Sequence, residues 1–193
     1  LFWMAAGCLL WRLNPAAPGP LALAWMFKAS STLDSMLGYR TGRLRWLGTA
    51  GARLDDLLTW LPCRLVMISL PLVSAPWHRW SALMRAAEQD GAPDPSPNAG
   101  RSEAIYAHCA GVRLGGRNRY GATWVEKPLL AADQPEPNRQ AIETILKLTI
   151  RLQLLWIVLL GLTQSAPRSI GSSSTPKVRR MIARSRLKER PLA

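Results

Sequence analysis

ILKLTIRLQLLWIVLLGL, residues 145–162, is the stretch on which the fold turns. Its length approaches the ~20 mostly apolar residues that a membrane-crossing helix needs. Its charges, Lys147 and Arg151, sit in the first half, where long side chains can snorkel toward headgroups. A second block of similar length, LLTWLPCRLVMISLPLVSA (57–75), carries Arg64, Pro62 and Pro71. Those residues suit a kinked or re-entrant segment beside a polar cavity as well as a lipid-facing span. Two shorter apolar runs, LFWMAAGCLLW (1–11) and LALAWMF (21–27), open the chain. Periodicity alone does not separate a span from a deeply buried helix. A soluble helical protein with two very apolar core helices is therefore the alternative. The block lengths favour an all-α, polytopic integral membrane protein, multi-pass in the cell membrane, with polar loops and shorter amphipathic helices.

The polar segments divide the chain. NPAAPGP (14–20) ends one helix and restarts another. A polar stretch over 28–56 follows, with five basic and three acidic residues. Residues 76–144 balance eight against eight. They open with an amphipathic helix, WHRWSALMRAAEQ, and break at DGAPDPSPNAG. A second helix is expected over roughly 98–113, stopped by Gly115 and Gly116. DQPEPN (133–138) is a loop into the last apolar helix. The expected organisation is a membrane-embedded domain over 1–164 and a disordered basic tail over 165–193. By the positive-inside rule, 28–56 and the tail lie in the cytoplasm. Cys8, Cys63 and Cys109 are far apart in apolar or Ala-rich surroundings, which reads as three buried thiols.

Four short motifs carry charge where packing alone does not ask for it. In KASSTLDSMLGYR (28–40), Ser31 and Asp34 fit a capping box, with Gly38 closing a helical turn. That leaves Lys28, Tyr39 and Arg40 unexplained. Asp55 and Asp56 at the head of the 57–75 block complement a helix dipole. Adjacent carboxylates on a helix diverge by about 100°, so they serve one Mg²⁺ only with waters or substrate oxygens completing the shell. In SPNAGRSEA (96–104), Ser96 reads as an N-cap and Pro97 as the first helical residue. Glu103 lies against a face of small residues with no local reason to be there. In VRLGGRNRYG (112–121), glycine-rich backbone and arginines suit a phosphate or carboxylate, although no GK[ST] follows.

In this order, KASSTLDSMLGYR, GARLDDLLTWLPCRL, SPNAG with EA, and GVRLGGRNRYG resemble the CbiB/CobD family of cobalamin-biosynthesis membrane proteins, the adenosylcobinamide-phosphate synthases. The resemblance runs from residue 1 to about residue 162. Ser31 stands where the family pattern has Asn. The family's N-terminal half is expected to be missing, and the polar tail is not a family hallmark.

The resemblance implies ATP-dependent amide ligation: adenosylcobyric acid, a corrinoid, is joined to aminopropanol or its phosphate. ATP would convert the free carboxylate into an acyl phosphate that the amine attacks. It makes Asp34, Asp55, Asp56 and Glu103 the candidates for general base, with Asp34, Asp55 and Asp56 the candidates for Mg²⁺. Lys28, Tyr39, Arg40, Arg53, Arg64 and Arg113 are the candidates for substrate recognition. Ser96, Asn98 and the Gly115-Gly116 backbone would hold polar substrate groups. Expected partners are these substrates, membrane lipid and other cobalamin-pathway membrane proteins.

Two other classes compete. A non-catalytic membrane protein would dock anionic lipid through seven basic residues between Lys177 and Arg190. Nucleic-acid binding is suggested by the net charge of +13. Only eight of the 25 basic residues lie in the tail, however, and no aromatic side chain interleaves them to stack on bases, so no nucleic acid is expected.

Overall fold

The computed structural model describes residues 1–37, 45–74 and 77–165. Its elements are α1 (Phe2–Leu13), α2 (Pro20–Leu37), α3 (Arg45–Ser74), a 3₁₀ turn (Trp77–Arg79), α4 (Trp80–Gly91), α5 (Ala99–Ala110), strands β1 (Leu114–Tyr120) and β2 (Thr123–Leu130), and α6 (Arg139–Ser165). Residues 1–158 form one compact unit and 159–193 a second. The tail from residue 166, Tyr39 and Arg40, and Gly38 with its expected helix stop lie outside the described residues.

The fold is mostly helical, but not all-α. Residues 114–130 form an antiparallel hairpin, where the sequence suggests only a glycine-rich loop. Thr123, Trp124 and Val125 favour strands, and Tyr120 pairs with Thr123 across a two-residue turn. Gly121, at φ 61°, supplies the positive φ that such a turn demands. The pairing shifts between Leu114 and Gly116. There Gly115, at φ 83°, lies against the Pro128 carbonyl, where a Cβ would clash. The glycine pair belongs to the strand; α5 is ended earlier, by Gly111 in the left-handed conformation.

The polar stretch 28–56 is helical in all its described residues. Thr32 Oγ1 donates to the Lys28 carbonyl and Ser35 Oγ to the Ser31 carbonyl, both at 2.8 Å. Hydroxyls that bond back four residues leave the helix unbroken, so Ser31 and Asp34 lie inside α2 and form no capping box. Likewise α3 begins at Arg45, so Asp55 and Asp56 sit well inside it and the helix-start role falls. Pro62 and Pro71 both lie within α3, each removing one N–H from its ladder. At the second, Trp80 Nε1 reaches the nearby Ile68 carbonyl at 2.7 Å.

The core gathers α3, α4, α5, the end of β2 and α6. Leu70, Ile105, Ala104 and Ala107 are fully buried, with Met67, Leu83, Leu130, Leu148 and Leu152 around them. Trp156 Nε1 donates to Ser69 Oγ across α3 and α6. The opposite stripe of α6 is uncovered: Ile142, Leu146, Ile150, Leu154 and Ile157 recur three or four residues apart and are all exposed. Trp46–Ser74 and Arg139–Leu162 are long and apolar enough to cross a membrane, and their most apolar stretches are only 22% and 11% buried.

Polar ties hold the small helices together. Arg101 of α5 grips Glu88 of α4 through Nε and Nη2, at 2.7–2.9 Å. His108 Nε2 and the Ala131 amide both meet Asp90 Oδ2, at 2.8 and 2.9 Å. That anchor holds Ala131 at φ 52°, uncommon outside glycine.

The Arg101 hydrogen bonds hold the Glu88 carboxyl below its ordinary range. A depressed folded-state value means the contribution is complete above the unfolded value and lost as pH falls through the folded one. Thermal melts between pH 7 and pH 3 should therefore show part of the acid destabilisation disappear in Glu88→Gln, which is already less stable at pH 7.

Candidate functional site

A cleft of about 300 Å³ opens between α3 and the start of α5. Asp55, Asp56 and Thr59 line it from α3; Ser96, Asn98 and Ser102 line it from the other side. Two of the four motifs, separated by some forty residues of chain, thus meet here.

Asn98 fixes the geometry. It is 5% exposed and stands at the N-cap position of α5, two residues later than the sequence suggests. Its Nδ2 donates to the Asp56 carbonyl at 2.7 Å and to Thr59 Oγ1 at 2.8 Å. The Asp56 carbonyl only accepts, so the amide nitrogen has to face it. Thr59 Oγ1 donates in turn to the Asp55 carbonyl at 2.6 Å. Ser96 Oγ donates to Asp56 Oδ1 at 2.9 Å and accepts from the amides of Asn98 and Ala99, both at 3.3 Å. Ser96 therefore assists the start of α5 from outside it, and Pro97 precedes the helix.

The loop backbone is held too. Both terminal nitrogens of Arg64 donate to the Pro97 carbonyl at 3.4 Å, and Arg101 Nη1 reaches the same oxygen at 3.0 Å. Arg64 also lies over the Trp60 ring, 5.4 Å from its centroid. In this arrangement Arg64 is a positioning residue for the loop. Cys63 Sγ donates to the Asn98 carbonyl at 3.3 Å, which accounts for one buried thiol.

Asp34 approaches from α2. Gly51 is buried, and a Cβ there would lie 3.8 Å from the Asp34 backbone and 3.6 Å from Leu33, so α2 and α3 pass closely one turn before Asp55. Asp34 and Asp56 both lie within electrostatic reach of Asp55. Among the described residues, no group of three or more His, Cys, Asp and Glu side chains is arranged to hold a metal ion. Two acceptors of residues that line the cleft stand out: among the described residues, Asp55 Oδ1 and Asn98 Oδ1 are buried without a hydrogen-bond partner. Such groups cost about 1–3 kcal/mol each unless something satisfies them.

The remaining candidates are not brought to this cleft. Lys28 and Arg53 are exposed. Glu103 is exposed and faces Lys127 at 3.9 Å, which gives that carboxylate the local partner its motif did not reveal. Arg113, Gly115 and Gly116 line a separate, larger depression of about 720 Å³ with Arg117, Lys127 and Glu126. Arg113 is ion-paired with Glu136 there, and Arg117 lies 4.7 Å from the Trp124 ring centroid. Thr59 and Ser102 escaped the sequence reading. Both were findable by the same spacing: Thr59 lies four residues after Asp55, and Ser102 four residues after Asn98.

The amide orientation is testable. Asn98→Ala should cost about 1–3 kcal/mol in detergent-solubilised protein. Asn98→Asp should cost more at neutral pH, because it sets a carboxylate oxygen against the Asp56 carbonyl. Melting temperatures of the two variants check the order.

The family model described as CobD/Cbib protein matches residues 1–149. The chain is 46% identical over 151 residues to "Cobalamin biosynthesis protein CobD" of Synechocystis sp., covering 75% of this chain and 41% of that protein. It is 36% identical over 151 residues to "Cobalamin biosynthesis protein CbiB" of Salmonella typhimurium, covering 75% and 46%. The Pelobacter propionicus CobD protein is 35% identical over 172 residues, covering 88% and 49%. The chain thus spans about half the length of the curated relatives it matches. No solved structure matches it. With the family model covering most of its length, and with motifs that converge in space, this chain belongs to the CobD/CbiB protein family.

Proposed function

We propose that this chain supplies part of the site of a membrane-bound, ATP-dependent amide ligase that joins adenosylcobyric acid to aminopropanol or aminopropanol phosphate in cobalamin biosynthesis. The observation that carries the reading is the convergence of Asp55, Asp56, Ser96 and Asn98 on one cleft, beside Asp34, in a member of this family. Amide formation from a free carboxylate needs activation, because carboxylate oxygen is a poor leaving group. ATP supplies it by phosphorylating the carboxylate; the amine then attacks and phosphate departs.

The carboxylates suit two tasks in that scheme. A Mg²⁺ accompanying ATP keeps several waters and needs only one or two protein carboxylates. Asp34 and Asp56, each within electrostatic reach of Asp55, are the carboxylates that would hold it, and it would supply charge neutralisation at the transferring phosphoryl group. Asp55 is the candidate to receive the proton of the attacking amine. Arg113, Arg117 and Lys127 in the larger depression suit a phosphate, with Arg113 already oriented by Glu136. Membrane location belongs to the same proposal: the uncovered apolar surface of α3 and α6 is what lipid, or the rest of a longer protein, would cover.

The test is product formation. Membranes containing this chain, with and without the N-terminal portion of the Synechocystis relative, would receive adenosylcobyric acid, aminopropanol phosphate and Mg-ATP. Mass spectrometry should detect the amide, and Asp34→Asn should lower its rate at least ~100-fold. Absence of product under both conditions would overturn the reading. Unchanged turnover in Asp34→Asn would remove Asp34 from the site.

A further inference from the structure

We infer that the cleft between α3 and the start of α5 is a binding site for a protonated primary amine, held by Asp55 Oδ1 and Asn98 Oδ1. This rests on the ligase reading above and assigns the amine substrate to one place in it.

The donors and acceptors in the cleft are unevenly matched. Both Asn98 amide hydrogens face acceptors on α3, Ser96 Oγ donates to Asp56, and Thr59 Oγ1 donates to the Asp55 carbonyl. Ser102 Oγ bonds back to the Asn98 and Ala99 carbonyls, both at 3.0 Å. With these donors committed, the two unpartnered buried oxygens are both acceptors. A ligand that satisfies them therefore brings hydrogens, and one of the two oxygens belongs to a carboxylate. An ammonium group offers three N–H donors and a positive charge on one atom. Neutral hydroxyl ligands offer one donor and no charge. Phosphates and carboxylates offer further acceptors to an already acidic corner and are disfavoured there.

A bare divalent cation is the competing occupant, and the composition of the cleft argues against it. Mg²⁺ keeps several waters, and the apolar wall of Pro62, Cys63 and Val66 in this cleft gives those waters few acceptors. The apolar wall of Pro62, Cys63 and Val66 suits the short carbon chain of an amino-alcohol. Asn98 cannot rotate to present its nitrogen to a ligand without setting oxygen against the Asp56 carbonyl. Selectivity for a donor-bearing cation is thus locked by the same contacts that fasten α5 to α3.

The experiment is calorimetric titration of the purified full chain in detergent with 1-amino-2-propanol and, separately, with propane-1,2-diol. The amine should bind at least tenfold more tightly than the diol. Asp55→Asn, which keeps the side-chain shape, should weaken the amine at least tenfold while Mg-ATP affinity is unchanged. Equal binding of amine and diol, no binding of either, or an unaltered amine affinity in Asp55→Asn would overturn the inference. So would displacement of the amine by Mg²⁺ alone, which would make the cleft a metal site. The outcomes separate from those of the ligase reading. Amine binding without amide product leaves the site standing and removes the reaction, whereas product formation with an amine KM untouched by Asp55→Asn does the reverse.

Discussion

One carboxamide holds the described structure around the cleft in register. The Asn98 side chain donates twice to α3, to a main-chain carbonyl and to the Thr59 hydroxyl, and the Asn98 main-chain carbonyl accepts from Cys63. A buried amide with its donors satisfied fixes the distance and rotation of two helices together, since moving either one strands polar atoms away from water. The start of α5, the Pro97 carbonyl and the arginines that reach it, and the exposure of Asp55 and Asp56 to one cleft all follow from that attachment. The side-chain oxygen of the same carboxamide is buried with no hydrogen-bond partner among the described residues.

Two physical regimes coexist in the chain. The first is ordinary protein interior: Leu70, Ile105, Ala87, Ala104 and Ala107 pack with no exposed surface, and Arg101–Glu88 and Asp90–His108 tie the short helices. The second is a set of apolar helix faces that stand exposed among the described residues, including Ile142, Leu146, Ile150, Leu154 and Ile157 on α6 and Leu57, Ile68 and Leu72 on α3.

Legibility in the sequence varied with the range of the interaction that decides each feature. Helices α1, α4 and α6 were readable because apolar spacing and Pro/Gly punctuation act within a few residues. The hairpin was not, since its arginines and glycines look like a surface loop until Trp124 and Val125 pair with them across the turn. The cap assigned to Ser31 failed for a local reason that composition hides: a serine can satisfy its hydroxyl on a carbonyl one turn back instead of capping. Glu103 looked unexplained only because its partner, Lys127, comes from β2.

By itself the sequence determined the helical, apolar character of the chain, its family likeness, and which residues are candidates for the chemistry, because those depend on composition and short-range order. Tertiary structure decided which of the candidates meet. Asp55, Asp56, Ser96 and Asn98 share a cleft with Asp34 beside it, whereas Arg113, Gly115 and Gly116 line another surface and Lys28 faces outward. The physical reason is that spacing along the chain sets the face of a helix a side chain occupies, while the crossing of α3 with α2 and α5, set by Gly51 and by the Asn98 hydrogen bonds, sets what that face meets.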